Sequence, residues 1–151
     1  MSAVTALPGA THSVEVLLGG RSILRAAPQT TLDWVSVIRR GISSSAVDAL
    51  ARIIHLSQAD LAAALGIPER TLARRRREGA LNSEESAKLV RLARVIGRAE
   101  EVFASMELAL AWLKTPNAAL LRVTPLSLLD TDIGAESVMD TLGRIEHGVF
   151  A

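Results

Sequence analysis

The stretch SQADLAAALGIPERTLARRRREG, residues 57–79, decides the fold. Ser57 offers a side-chain oxygen to the first free N–H groups of a helix, with Asp60 three residues on in the first turn. That helix must end by Gly66, whose missing Cβ permits the left-handed conformation of a tight turn. Pro68 then opens a second helix, where its absent N–H costs nothing. Ala62, four residues before Gly66, is small enough to face that second helix, and Leu72, six residues after it, points back into the core. This spacing is the signature of a helix-turn-helix, whose second helix enters the DNA major groove. With Leu72 inward, Arg70, Arg74 and Arg77 share one outward stripe. A guanidinium there can grip guanine edges bidentately or hold phosphate. Thr71 is a further contact. Arg75 falls where such helices often place an apolar residue, so either its stem snorkels across the core edge or the helix is slightly rotated. The candidate DNA-binding residues are therefore Arg70, Thr71, Arg74, Arg75 and Arg77. The spacing does not divide them into base readers and phosphate holders.

Composition agrees with a helical protein. Of 151 residues 49% are hydrophobic but only 3% aromatic, so the core is built from Ala, Leu, Val and Ile, which favours helix over sheet. The absence of Cys excludes disulfides and thiolate chemistry and fits a reducing compartment. No apolar run is long enough for a transmembrane helix, and the N-terminus lacks a basic start and a sustained apolar core. A soluble cytoplasmic protein is expected. The net charge of +1 hides an asymmetry: residues 1–99 hold 14 Lys/Arg against 8 Asp/Glu, residues 100–151 hold 3 against 8. One half suits a polyanion and the other does not.

Residues 1–29, with Pro8, Pro28 and Gly19-Gly20, read as a poorly ordered N-terminal segment. A first helix begins near Thr31 or Leu32, with Leu32, Val35 and Ile38 as its apolar stripe and Gly41 as its stop. A second spans SSSAVDALARIIHL, capped by a serine among Ser43–Ser45. Residues 30–81 thus form the helix-turn-helix region. From Asn82 to about Lys114 runs one long helix or two joined ones, with Gly97 as a bend. This is the connecting segment, 82–114. Which surface makes the dimer is left open by the sequence, with the long helix from Asn82 preferred. Thr115-Pro116 and Thr124-Pro125 each read as an N-cap followed by Pro at the first helical position. A last helix begins near Asp132, capped by Thr131 and Asp132, and ends at Gly148.

No catalytic set emerges. His12, His55 and His147 are scattered, and HExxH, GxSxG and Gly-rich phosphate loops are missing. Neither enzyme activity, nor a cofactor, nor a metal site is expected.

The C-terminal sequence carries a more specific signal. Trp112-Leu113, Pro116-Asn117, Pro125-Leu126, Leu128 to Thr131, Gly134 and the terminal GRIEHG of Gly143 to Gly148 follow one another in WLKTPNAALLRVTPLSLLDTDIGAESVMDTLGRIEHGVFA. This series resembles the C-terminal module of the Xre/MbcA/ParS-like antitoxins, and the helix-turn-helix upstream matches the Xre-like half of that family. The departure is LLRVTPLSLL, residues 120–129, where many relatives carry a Gly-rich turn before the Pro-Leu; local loop shape is what it changes.

The resemblance implies an all-α fold, an Xre-like helix-turn-helix domain followed by a small helical toxin-binding domain over residues 115–151. It implies a RES-domain toxin that degrades NAD as partner, alongside operator DNA, a homodimer and a higher-order toxin–antitoxin complex. The implied mechanism is occlusion of the toxin's active site by the C-terminal tail, with autorepression of the operon. Val149, Phe150 and Ala151, ending in a free carboxylate, would plug a nucleotide pocket, and Arg144, Glu146 and His147 would pair with groups at its mouth. Read without the resemblance, Phe150 folds back on its own helix just as well. The alternative function is a stand-alone helix-turn-helix regulator whose second half binds a ligand or dimerises.

Overall fold

The computed structural model describes residues 12–148, and among these the chain forms nine α-helices, two 3-10 turns and no strand. The helices are α1 (Val14–Leu17), α2 (Arg21–Leu24), α3 (Asp33–Arg40), α4 (Ser45–Ile54), α5 (Gln58–Leu65), α6 (Glu69–Glu78), α7 (Ser83–Phe103), α8 (Met106–Leu113) and α9 (Asp132–Glu146). The 3-10 turns are Ala118–Leu120 and Pro125–Leu128.

Helix α7 is the axis of the molecule. Asn82 and Glu85 start it with reciprocal hydrogen bonds: the Glu85 N–H donates to the Asn82 side chain and the Asn82 N–H to the Glu85 carboxylate. Leu89, Leu92, Ala93, Ile96 and Ala99 are wholly buried along it. It packs against α1, α3, α5, α8 and α9, and one continuous apolar cluster runs from Leu17 to Leu142. Gly97 does not interrupt α7. The helix continues through it, and the place a Cβ would occupy lies 3.6 Å from the His12 carbonyl and from Leu17 Cδ1. The break comes seven residues later, at Ala104, which adopts a left-handed φ of 55°. Ser105 then caps α8 by accepting from the Leu108 N–H. Along α7 beyond its first turn, only Ala87, Arg94 and Glu101 are exposed.

Three further expectations are corrected. Within the supposed loose N-terminal segment, residues 12–29 hold α1 and α2, and Leu17, Leu18 and Leu24 enter the core. His12 latches this strap to α7: its backbone N–H and ring both engage the buried Glu100 carboxylate, the ring nitrogen at 2.8 Å. The buried line of α3 passes through Trp34, Val37 and Ile38 rather than Leu32, Val35 and Ile38, because α7 presses on that side; Leu32 and Val35 face out. Thr115 does not cap a helix; its hydroxyl donates back to the Ala111 carbonyl at 2.6 Å, and Asn117 caps the turn at 118–120 instead. Thr124 and Thr131 do cap, accepting from the Ser127 and Gly134 N–H groups.

Candidate nucleic-acid interface and C-terminal site

Helices α5 and α6 form the pair read from residues 57–79. Ser57 accepts from the Asp60 N–H, Gly66 has φ 70°, and its carbonyl accepts from Lys88 Nζ at 3.0 Å. Leu61, Leu65 and Leu72 are fully buried, and Ala62 nearly so. The angle between the helices is thus set by apolar packing on their inner sides.

The outer side of α6 is basic, but its four consecutive arginines have two different occupations. Arg75 and Arg76 turn inward. Arg75 Nε donates to Glu85 at 2.8 Å and its Nη1 to Glu78 at 3.1 Å, so hydrogen bonds to Glu85 and then Glu78 hold its pKa above the ordinary value. Arg75 therefore extends its stem over the core edge and fastens α6 to the start of α7. Arg76 pairs with Asp48 of α4. Arg70, Arg74 and Arg77 are exposed on one face, and Thr71 is half-buried beside them. Arg70 and Arg77 make no ion pair among the described residues, and Arg74 stands only 3.9 Å from Glu78, a long contact between exposed groups. Three cations are thus presented on a helix held rigid by the other two.

The C-terminal site is built on α9. Its first turn is sealed by Gly134, where the motif of residues 128–134 finds its reason: a Cβ there would lie 1.9 Å from the Leu128 carbonyl oxygen. Arg91 of α7 ties this turn down, donating to the Leu129 carbonyl at 3.1 Å and to Asp132 at 2.7 Å. Asp132 thus serves an ion pair at the first position of α9, while Thr131 is the cap. At the far end, Arg98 of α7 holds Glu146 bidentately at 2.6 and 3.0 Å. The Arg98 hydrogen bond holds the Glu146 carboxyl below its ordinary value of 4.5. Arg144 and His147 are exposed in the same last turn. Val149, Phe150 and Ala151 lie outside the described residues.

The lowered Glu146 value has a sign. The Arg98–Glu146 tether contributes fully above the unfolded carboxyl's 4.5 and is lost as pH falls through the lower folded value. The Tm difference between the native chain and Glu146→Gln should therefore shrink as pH drops below that range. Thermal melts at stepped pH check this, and a constant difference down to pH 3 would contradict the tether.

Residue reading had missed Lys88, Arg91 and Arg98, three cations of α7 that fasten the helix-turn-helix and α9 to one axis. The signal lay in their spacing of three and seven, which keeps them near one side of a helix. Among the described residues no group of three or more His, Cys, Asp or Glu is placed to hold a metal ion, and no helix is long and apolar enough to cross a membrane.

An exposed basic stripe on the second helix of a helix-turn-helix, sharing one core with a capped C-terminal helical module, is the architecture of a helix-turn-helix protein with a second helical domain. Residues 33–94 match the antitoxin Xre-like helix-turn-helix domain, and residues 98–148 match the antitoxin Xre/MbcA/ParS C-terminal toxin-binding domain. The chain is 38% identical to the antitoxin Xre of Yersinia enterocolitica over 119 residues, 78% of this chain and 80% of that one. It is 34% identical to the antitoxin Xre of Photorhabdus laumondii over 118 residues, 77% and 80% of the two chains. A Sphingobium protein named Prs ADP-ribosylating antitoxin is 28% identical over 141 residues, 87% of each. The chain belongs to the Xre antitoxin family.

Proposed function

We propose that the chain neutralises a RES-domain, NAD-consuming toxin by inserting its C-terminal tail into the toxin's active site, and that it represses its own operon. The observation that carries the first part is how α9 ends. Gly148 takes a left-handed φ of 72°, which ends the helix, and Arg144 and His147 are exposed in its last turn. A dinucleotide pocket combines apolar walls with cationic groups for phosphate; an apolar Val149-Phe150-Ala151 ending in a carboxylate is matched to both. Arg144 and His147 meet polar groups at the mouth, while Glu146 is held by Arg98. The name of the Sphingobium relative refers to ADP-ribosylation, a reaction that consumes NAD, so either hydrolysis or ADP-ribose transfer by the toxin fits this reading. The antitoxin itself acts stoichiometrically, without a catalytic step, a cofactor or a metal, in the cytoplasm where NAD and operator lie.

For the second part, Arg70, Arg74 and Arg77 hold the operator, with Thr71 beside them. One short recognition helix covers a half-site, so a homodimer would place two of them about 34 Å apart or at a multiple of that spacing.

Cellular NAD tests the tail. The protein of the neighbouring open reading frame is expressed alone, with the full chain, and with the chain ending at Gly148. NAD should collapse, recover and stay low, respectively. Equal protection by the shortened chain would move inhibition to another surface. An unaffected NAD pool with the partner alone would favour the plain regulator.

A further inference from the structure

A small hairpin in the toxin-binding domain combines an unusual backbone with an unusual exposure. The Asn117 N–H donates to the Val123 carbonyl and the Arg122 N–H returns to the Asn117 carbonyl. Between them Leu121 and Arg122 both adopt left-handed backbone, with φ of 59° and 65°. That conformation crowds a Cβ against the following carbonyl, and glycine escapes it. The turn therefore keeps the shape a Gly-Gly pair would choose, with Leu and Arg in it. In return Leu121 stands 91% exposed at the tip. Facing it, Ile133 at the start of α9 is 79% exposed. Between them lies a hollow of about 440 Å³, floored by Leu128 and bordered by Ser137, Asp140 and Arg144.

Neither the strain nor the exposure helps the free chain. Two bulky apolar side chains flanking a concave surface lower the free energy only when something covers them. Backbone strain of this kind clusters where a surface has a task. The occupant follows from position. The hairpin and hollow lie within the toxin-binding region, residues 98–148. Ile133, Ser137, Asp140 and Arg144 run along one side of α9 toward Gly148. A partner that receives the tail at one end of α9 lies against this stripe as well.

We propose that Leu121, with Ile133 across the hollow, is the apolar anchor of the toxin interface. It inserts between apolar side chains of the toxin, and Arg122 and Arg144 meet acidic groups at the rim. This would be a specificity contact separate from the tail plug: the tail reads the pocket common to NAD-consuming partners, while the hairpin reads the surface of one of them. The inference rests on the reading of residues 98–148 as toxin-facing.

The test uses the full chain and a purified RES-domain toxin that it neutralises in the NAD experiment above. The double variant Leu121→Gly, Arg122→Gly relieves the strain and removes the anchor together. Its Tm should rise by about 2–6 °C, while Kd for the toxin weakens at least about tenfold, mainly through faster dissociation. Leu121→Asn keeps a residue that tolerates the left-handed turn and should lose affinity similarly. Leu32→Ala, at a residue 78% exposed in the DNA-binding half, should leave Kd unchanged. Native affinity in both Leu121 variants would overturn the anchor and leave the tail reading standing. A fall in Tm of the double variant would overturn the strain on which the argument rests. If the unaltered chain itself does not bind the RES-domain protein, the toxin reading fails first, and the anchor with it.

Discussion

Gly134→Ala should destabilise the chain by about 3 kcal/mol, a magnitude typical of severe overpacking. The added methyl would stand 1.9 Å from the Leu128 carbonyl oxygen, 2.8 Å from its carbon and 2.9 Å from Thr131 Oγ1. Backbone cannot step aside as a flexible side chain does. To relieve the clash, the turn at residues 128–131 must part from α9. That movement breaks the Thr131 cap and the grip of Arg91 on the Leu129 carbonyl and Asp132. Asp130 would shift as well, and its carbonyl lies 3.1 Å from where a Cβ on Gly66 would be, so the disturbance reaches the helix-turn-helix turn. A Tm drop of about 6–12 °C is expected at this chain length. Gly143→Ala is the control, since nothing lies within 4 Å of its Cβ position; there a better helix former should raise Tm slightly. Equal melting of Gly134→Ala and the native chain would mean that the close approach at Leu128 does not exist.

The second large effect concerns DNA. Replacing Arg70, Arg74 and Arg77 by Ala together should weaken operator binding by about a thousandfold or more near physiological salt, since each lost cation forfeits counterion release and a hydrogen bond. If all three hold phosphate, the slope of log K against log salt should fall by about 3; any that reads a base edge instead relaxes sequence preference at its position. These side chains are exposed and α6 is held by Arg75, Arg76 and Leu72, so the triple variant should fold normally. Arg75→Ala should behave differently. It should lower Tm, because it leaves the buried Glu85 carboxylate without its guanidinium, and should affect the salt slope little. Titrating operator fragments at several salt concentrations separates the two patterns. Undiminished binding by the triple variant would remove α6 as the recognition helix.

Much of the architecture was legible because it depends on contacts close in sequence. A cap reaches three residues ahead, and a turn glycine acts on its own φ. Ser57, Gly66, Asn82, Thr124, Thr131 and Gly148 therefore announce their helix boundaries in the chain itself. The outward stripe of Arg70, Arg74 and Arg77 follows from helical periodicity once Leu72 is turned inward. Ser105 was equally readable as a cap and marks the break after α7, whereas Gly97 lies within the continuous helix, where His12 and Leu17 pack close against it. Short helices were harder. The four residues of α1 and of α2 carry no periodicity to detect, and they are helical because Leu17, Leu18 and Leu24 find an apolar cluster made by distant residues.

By itself, then, the chain determined its longer helices, its outward arginine stripe and its two-part plan, since these are set by local backbone preference and by the period of apolar residues. Tertiary structure alone decided which charges are available and which are used. Four adjacent arginines look alike in sequence; Glu85 and Asp48, 10 and 28 residues away, claim Arg75 and Arg76 and leave the outer ones free for a partner. Glu146 likewise belongs to Arg98, 48 residues distant. The same holds for Gly134, which is required not by its own φ but by the approach of the Leu128 carbonyl, and for Leu121, whose exposure is set by the closure of a hairpin around it. Such pairings depend on which surfaces the packing of α7 brings face to face, and that is a property of the folded chain rather than of any short window within it.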